Sequence, residues 1–100
     1  EEAVRKATGG LGVDVVLDVR SKLECFLGKV PGALNLPVDR LEQELPKQSG
    51  IGKQATILVY CASGTRSANA VAVMRRMGYA NAIDGGGISA VQRELEHVGS

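Results

Sequence analysis

The chain has 100 residues, of which 44% are hydrophobic and 23% charged, and a net charge of +1 at neutral pH, proportions that suit one ordinary globular domain with one core. The near-neutral balance and the 3% of aromatic residues exclude a basic, base-stacking surface for nucleic acid, and no apolar run approaches the ~18 residues that cross a membrane. Two cysteines make no disulfide framework, and the single histidine, His97, leaves no zinc set, so a reduced and reactive thiol is favoured over a structural one.

Residues 1–7 read as a helix, with acids first and Arg5-Lys6 later to suit the helix dipole. Thr8-Gly9-Gly10-Leu11-Gly12 ends it. Val13 to Val19 is nearly continuous in apolar residues, which predicts a strand buried on both faces, as in a parallel sheet. Ser21 to Leu27 is long enough for one or two helical turns, with Ser21 as N-cap. A turn over Gly28 to Ala33 leads to a brief strand, Leu34-Asn35-Leu36, stopped by Pro37. Asp39 to Leu45 predicts a helix with Leu41 and Leu45 on one face, followed by a polar connection from Pro46 to Lys53. Thr56 to Tyr60 is the second strong strand. Ser67 to Met77 is the best helix, its Ala70, Val71, Met74 and Met77 recurring at three- and four-residue steps, with Gly78 beyond its end. A last short strand is expected around Ala82-Ile83, then a glycine turn at Gly85-Gly86-Gly87, then a closing helix from Ser89 to Val98. Alternating helices and apolar strands predict an α/β domain with a mainly parallel sheet, spanning residues 1–100.

Cys61 stands where chemistry is expected in such a sheet, at the carboxyl end of a strand and just before a helix. Ala62, Ser63, Gly64 and Thr65 are small, so the loop is able to curl and point its N–H groups inward as a nest for an anion. A free thiol ionises near pH 8.5. Inward N–H groups, a helix N-terminus and the nearby Arg66 all favour the thiolate. Cys61 is therefore the candidate nucleophile; the alternative is a buried hydrophobic cysteine.

The ordered set Asp18-Val-Arg20, Glu24, Gly28-Lys-Val-Pro-Gly-Ala33, Asn35, Pro37, Cys61-Ala-Ser-Gly-Thr-Arg66-Ser67, Gly78-Tyr79 and Gly85-Gly-Gly87 resembles the rhodanese-like sulfurtransferase family in its small single-domain form, over residues 13–91. The resemblance implies a three-layer α/β sandwich with about five mainly parallel strands between helices. The family's first strand would lie before Glu1, so an edge strand is expected to be missing or shortened. The resemblance further implies that Cys61 is catalytic and cycles between thiolate and persulfide. The backbone of Ala62, Ser63, Gly64, Thr65, Arg66 and Ser67 would cradle the substrate, with Arg66 attracting the donor or orienting the loop. The donor would be thiosulfate or a relative, and the acceptor cyanide in the test tube or a small or thioredoxin-like thiol. Neither metal nor organic cofactor is implied, and a monomer in the cytoplasm is expected, or in the periplasm if an export signal has been removed.

The chain departs from the family pattern at Lys29, where histidine is common, at Cys25, which occupies an aromatic position, and near Val91, where a tryptophan is frequent. Cys25 reads as core filling, with a resolving thiol as the alternative. Asp18, Arg20 and Glu24 read as a structural ion-pair cluster at a strand end, and His97 as a solvated helix-end residue. Three other functions compete: a protein-to-protein persulfide carrier, a non-catalytic binding module, and a cysteine-dependent phosphatase. The phosphatase loop carries five residues between Cys and Arg, whereas four separate Cys61 from Arg66, a loop too tight for a tetrahedral phosphate.

Overall fold

A computed structural model describes residues 12–99, with side chains described as far as Glu94. Four parallel strands form its sheet: β1 (Val15–Asp18), β2 (Leu34–Asn35), β3 (Ile57–Cys61) and β4 (Ala82–Gly87), in the order β2-β1-β3-β4. The helices are α1 (Lys22–Leu27), α2 (Leu41–Glu44, flanked by single 3₁₀ turns), α3 (Thr65–Arg76) and α4 (Ile88–Gly99). The sheet thus has four strands among the described residues where the resemblance implied about five. The helix expected over residues 1–7 lies outside the described residues. Among the described residues no helix is long and apolar enough to cross a membrane.

The two central strands show why a continuous apolar run was needed. Side chains alternate between the faces of a strand, so a strand covered on both sides must be apolar at every position. From β1, Val15 and Leu17 enter one core with Ile57, Val59 and Cys61 of β3. Val16 turns the other way and joins Tyr60, Val30, Ala33 and Val91 in a second core. The stripe of α3 closes the first core with Ala70, Val71 and Met74, while Leu41 and Leu45 seal its edge with no exposure at all. Val91 of α4 is buried in the second core, near the position where the resemblance implied a tryptophan.

Two of the differences from the sequence reading bear on the cysteine loop. Helix α3 starts at Thr65, two residues before the expected Ser67, because Gly64 takes the N-cap position with φ of 103°. The three glycines are not a turn but the last half of β4. Their register against β3 shifts between Val59 and Tyr60, which pairs Tyr60 with Gly86 and Cys61 with Gly87. Glycine lacks a side chain to favour a strand, so only the neighbouring strand's ladder reveals it as one.

Candidate active site

Strand β3 delivers Cys61 to the carboxyl edge of the sheet, and three residues, Ala62 to Gly64, return the chain into α3. Such a tight reversal needs a left-handed residue, which Gly64 supplies at little steric cost. The loop also lies directly on the end of β4. A Cβ placed on Gly87 would stand 2.9 Å from the carbonyl oxygen of Ala62, so only glycine fits there. The shifted register of β4 is what brings this bare backbone beside the loop.

The curled loop points two N–H groups at the cysteine sulfur. The amide of Gly64 donates to Sγ at 2.9 Å and that of Ser67 at 3.3 Å. Ser67 is the third residue of α3, so its amide has no carbonyl partner within the helix and is free to serve an anion. Cys61 is fully buried. Burial by itself pushes its thiol up, but the Ser67 amide and side chain, and the Gly64 and Ser63 amides, hold it below the ordinary thiol value. The Ser67 hydroxyl is in turn placed by its neighbours: it lies 2.7 Å from Oδ1 of Asp84 and 3.0 Å from the Gly64 carbonyl oxygen. Oδ1 of Asp84 also accepts the Gly86 amide at 2.9 Å, which ties loop, helix and β4 into one unit.

Arg66 grips Glu24. Its two terminal nitrogens donate to the two carboxylate oxygens at 2.7 and 2.9 Å, a bidentate pair. Ser21 and Glu24 also form a capping box at the start of α1, with Ser21 Oγ accepting the Glu24 amide and Glu24 Oε1 accepting the Ser21 amide. The Arg66 guanidinium, and next the Ser21 amide, pull the Glu24 carboxyl down to about 2. The expected cluster of Asp18, Arg20 and Glu24 is therefore divided. Asp18 and Arg20 form a buried pair at 2.8 Å, and Arg20 also donates to the Gly28 carbonyl. Glu24 belongs to the cysteine loop.

Cys25 is half-buried, and burial followed by the neighbouring Asp18 pushes its thiol up to about 11. Lys29 donates to the Ala33 carbonyl within its turn. The side chain of His97 lies outside the described residues. Among the described residues no group of three or more His, Cys, Asp or Glu side chains is placed to hold a metal ion. Sequence reasoning missed Asp84 as a partner of Ser67. Its signal was a lone acid at the end of the apolar pair Ala82-Ile83, opposite Val59.

The family model for the rhodanese-like domain matches residues 2–94, and the chain belongs to that family. It is 37% identical to a sulfurtransferase of Allochromatium vinosum, over 80% of this chain and 74% of that one. It is 34% identical to the tRNA uridine(34) hydroxylase of Erwinia tasmaniensis, over 82% of this chain, but it spans only 25% of that protein's length. Among solved structures it is similar to the human single-domain sulfurtransferase TSTD1, with a TM-score of 0.67 and 27% identity, over 92% of this chain and 88% of that one. These likenesses support sulfur transfer as the general reaction class.

Proposed function

We propose that the protein moves a sulfane sulfur from thiosulfate or a related donor to a thiophilic acceptor, through a persulfide on Cys61. The Cys61 thiolate attacks the outer sulfur of thiosulfate. The sulfur–sulfur bond of the donor breaks, sulfite leaves with the bonding pair, and Cys61 carries the transferred sulfur as an anionic persulfide. A nucleophilic acceptor then attacks that terminal sulfur and frees the Cys61 thiolate; with cyanide the product is thiocyanate. The observation that carries this reading is the pair of amides, from Gly64 and Ser67, aimed at Sγ. Fixed N–H groups stabilise the thiolate leaving group and the anionic adduct without reorganising during the reaction. Arg66, anchored by Glu24, orients the loop and adds positive potential beside it.

A second reading, a persulfide carrier between proteins, is favoured by one feature. Helix α1, tied to the loop through Glu24, turns Leu23, Phe26 and Leu27 to solvent, Phe26 with 85% exposure. Thiocyanate formation from thiosulfate and cyanide separates the two. The proposal expects turnover by the wild type and none by Cys61→Ser. Comparable turnover by that variant overturns the assignment of Cys61. A folded wild type without turnover, but with a persulfide, favours the carrier.

A further inference from the structure

Ser67 is fully buried, and its hydroxyl has one proton to give among three acceptors. The Gly86 carbonyl oxygen lies 3.5 Å away, the Gly64 carbonyl oxygen 3.0 Å and Oδ1 of Asp84 2.7 Å. The Gly64 carbonyl already accepts the Ala68 amide at 3.1 Å, the first bond of α3. Asp84 offers both the shortest contact and a charged acceptor, and bonds of that kind are the strong ones. The proton is therefore committed to Asp84, the one side chain among the described residues that holds the Ser67 hydroxyl.

Asp84 owes this place to the irregularity in β4. Val59 pairs with Asp84 and Tyr60 with Gly86, which leaves Gly85 without a partner on β3. A bulge of this kind bends a strand and re-aims its side chains. Oδ1 of Asp84 closes the bulge by accepting the Gly86 amide at 2.9 Å, and the same oxygen takes the Ser67 proton. Donors from two elements thus fix one carboxylate oxygen, although Asp84 itself is exposed. Ala82, two residues earlier and so on the same face, is buried in the first core. Packing alone asks for an apolar residue on that face, not an acid.

The other end of Ser67 meets the chemistry, since its amide donates to Cys61 Sγ at 3.3 Å. Resting on the reading of Cys61 as the sulfur carrier, we propose that Asp84 is a positioning residue for the Cys61 reaction: as a hydrogen-bond acceptor it locks Ser67 and so keeps the Ser67 amide aimed at the sulfur. Asp84 acts through Ser67 and not on the reacting atoms. It acts as an acceptor at a fixed point and not as a charge, because the residue is open to water and salt, which screen it.

The test is the pH profile of Cys61 alkylation by iodoacetamide, an uncharged reagent that reads the thiolate, with the modified peptide identified by mass. Wild type, Asp84→Ala and Asp84→Asn are compared. Alanine removes the acceptor, whereas asparagine keeps an oxygen there without the charge. The midpoint is expected to rise by about half a pH unit or more in Asp84→Ala, as when hydrogen bonding to a charged form weakens, and to lie closer to wild type in Asp84→Asn. Asp84 is exposed and belongs to neither core, so both variants should fold. If Asp84→Ala does not, Asp84→Ser, whose shorter side chain withdraws the acceptor, takes its place. An unchanged midpoint makes the contact a structural tie alone and overturns the role. A midpoint that falls in both variants overturns it as well, because Asp84 is then a charge that opposes the thiolate. So does a rise that asparagine fails to reduce. Thiosulfate loading, followed by mass, is run beside these profiles. Wild type that alkylates at Cys61 but takes up no sulfur overturns the persulfide reading, while the midpoints still decide the role of Asp84.

Discussion

Ser67 acts on the Cys61 sulfur through its backbone and is itself held by its side chain. Its amide is an unpaired group of the helix start, while its hydroxyl is fixed between Asp84 and the Gly64 carbonyl. Replacing Ser67 with alanine keeps the amide and removes the hydroxyl. The Cys61 thiol should then titrate at higher pH, because the Ser67 side chain no longer favours the thiolate or fixes the amide that contacts it. Thiolate absorbance in the ultraviolet, wild type minus Cys61→Ser, measures this, and an unchanged curve in Ser67→Ala contradicts it. Stability should fall by about 1–2 kcal/mol, as for a buried hydrogen bond whose acceptors are left behind. The sign for the wild type is definite: a lowered thiol pKa means the thiolate is already present below the ordinary titration range. Cys25, pushed up to about 11, should contribute nothing below pH 9.

At the scale of elements, α1 is held by its polar residues more than by its core contacts, since it buries none of its side chains fully. What fixes it is the capping box and the Glu24–Arg66 pair. The Glu24 carboxyl lies at about 2 in the fold against an ordinary 4.5. A depressed acid stabilises the fold above its unfolded pKa, so this tie is complete above pH 4.5 and is lost as pH falls toward 2. Carboxyl carbon shifts read by NMR should place the Glu24 midpoint below 4.5, and a midpoint at or above 4.5 contradicts the tie. In Glu24→Gln, sulfur transfer should fall a few-fold as the loop loses its anchor, with little change in global stability, because exposed pairs contribute about 1 kcal/mol or less. This pair shows what the sequence hides. The Ser21 cap and the stripe of α3 follow from local spacing, and so do Cys61 and the amides of its loop. Glu24 and Arg66 are 42 residues apart, and only the tertiary fold brings them together. The strand through Gly85-Gly86-Gly87 is hidden for the same reason: its cause lies in β3, not in the glycines.

For the molecule as a whole, the parallel sheet sets both stability and chemistry. Burying β1 and β3 on both faces creates two cores and leaves charge at the ends of these strands rather than along them. Asp18 marks the end of β1 and pairs with Arg20, with exposures of 0% and 8% for the two side chains. Burial pushes the Asp18 carboxyl up, but the bonds from Arg20 and Tyr60 outweigh it and leave it lowered. Asp18→Leu would strand a buried guanidinium, which typically costs about 3–5 kcal/mol. Urea unfolding should show that loss, whereas a loss below about 1 kcal/mol would mean that Arg20 finds another partner. At the neighbouring strand end, the same edge presents Cys61, whose sulfur is met by backbone amides.

The central claim is that Cys61 carries sulfur, and its most direct measurement is the intact mass of the protein after thiosulfate and desalting. The account predicts an increase of one sulfur atom, located on the peptide that contains Cys61, absent in Cys61→Ser, and removed by cyanide with one thiocyanate released per protein. An adduct on Cys25, or none at all in folded wild-type protein, would contradict it.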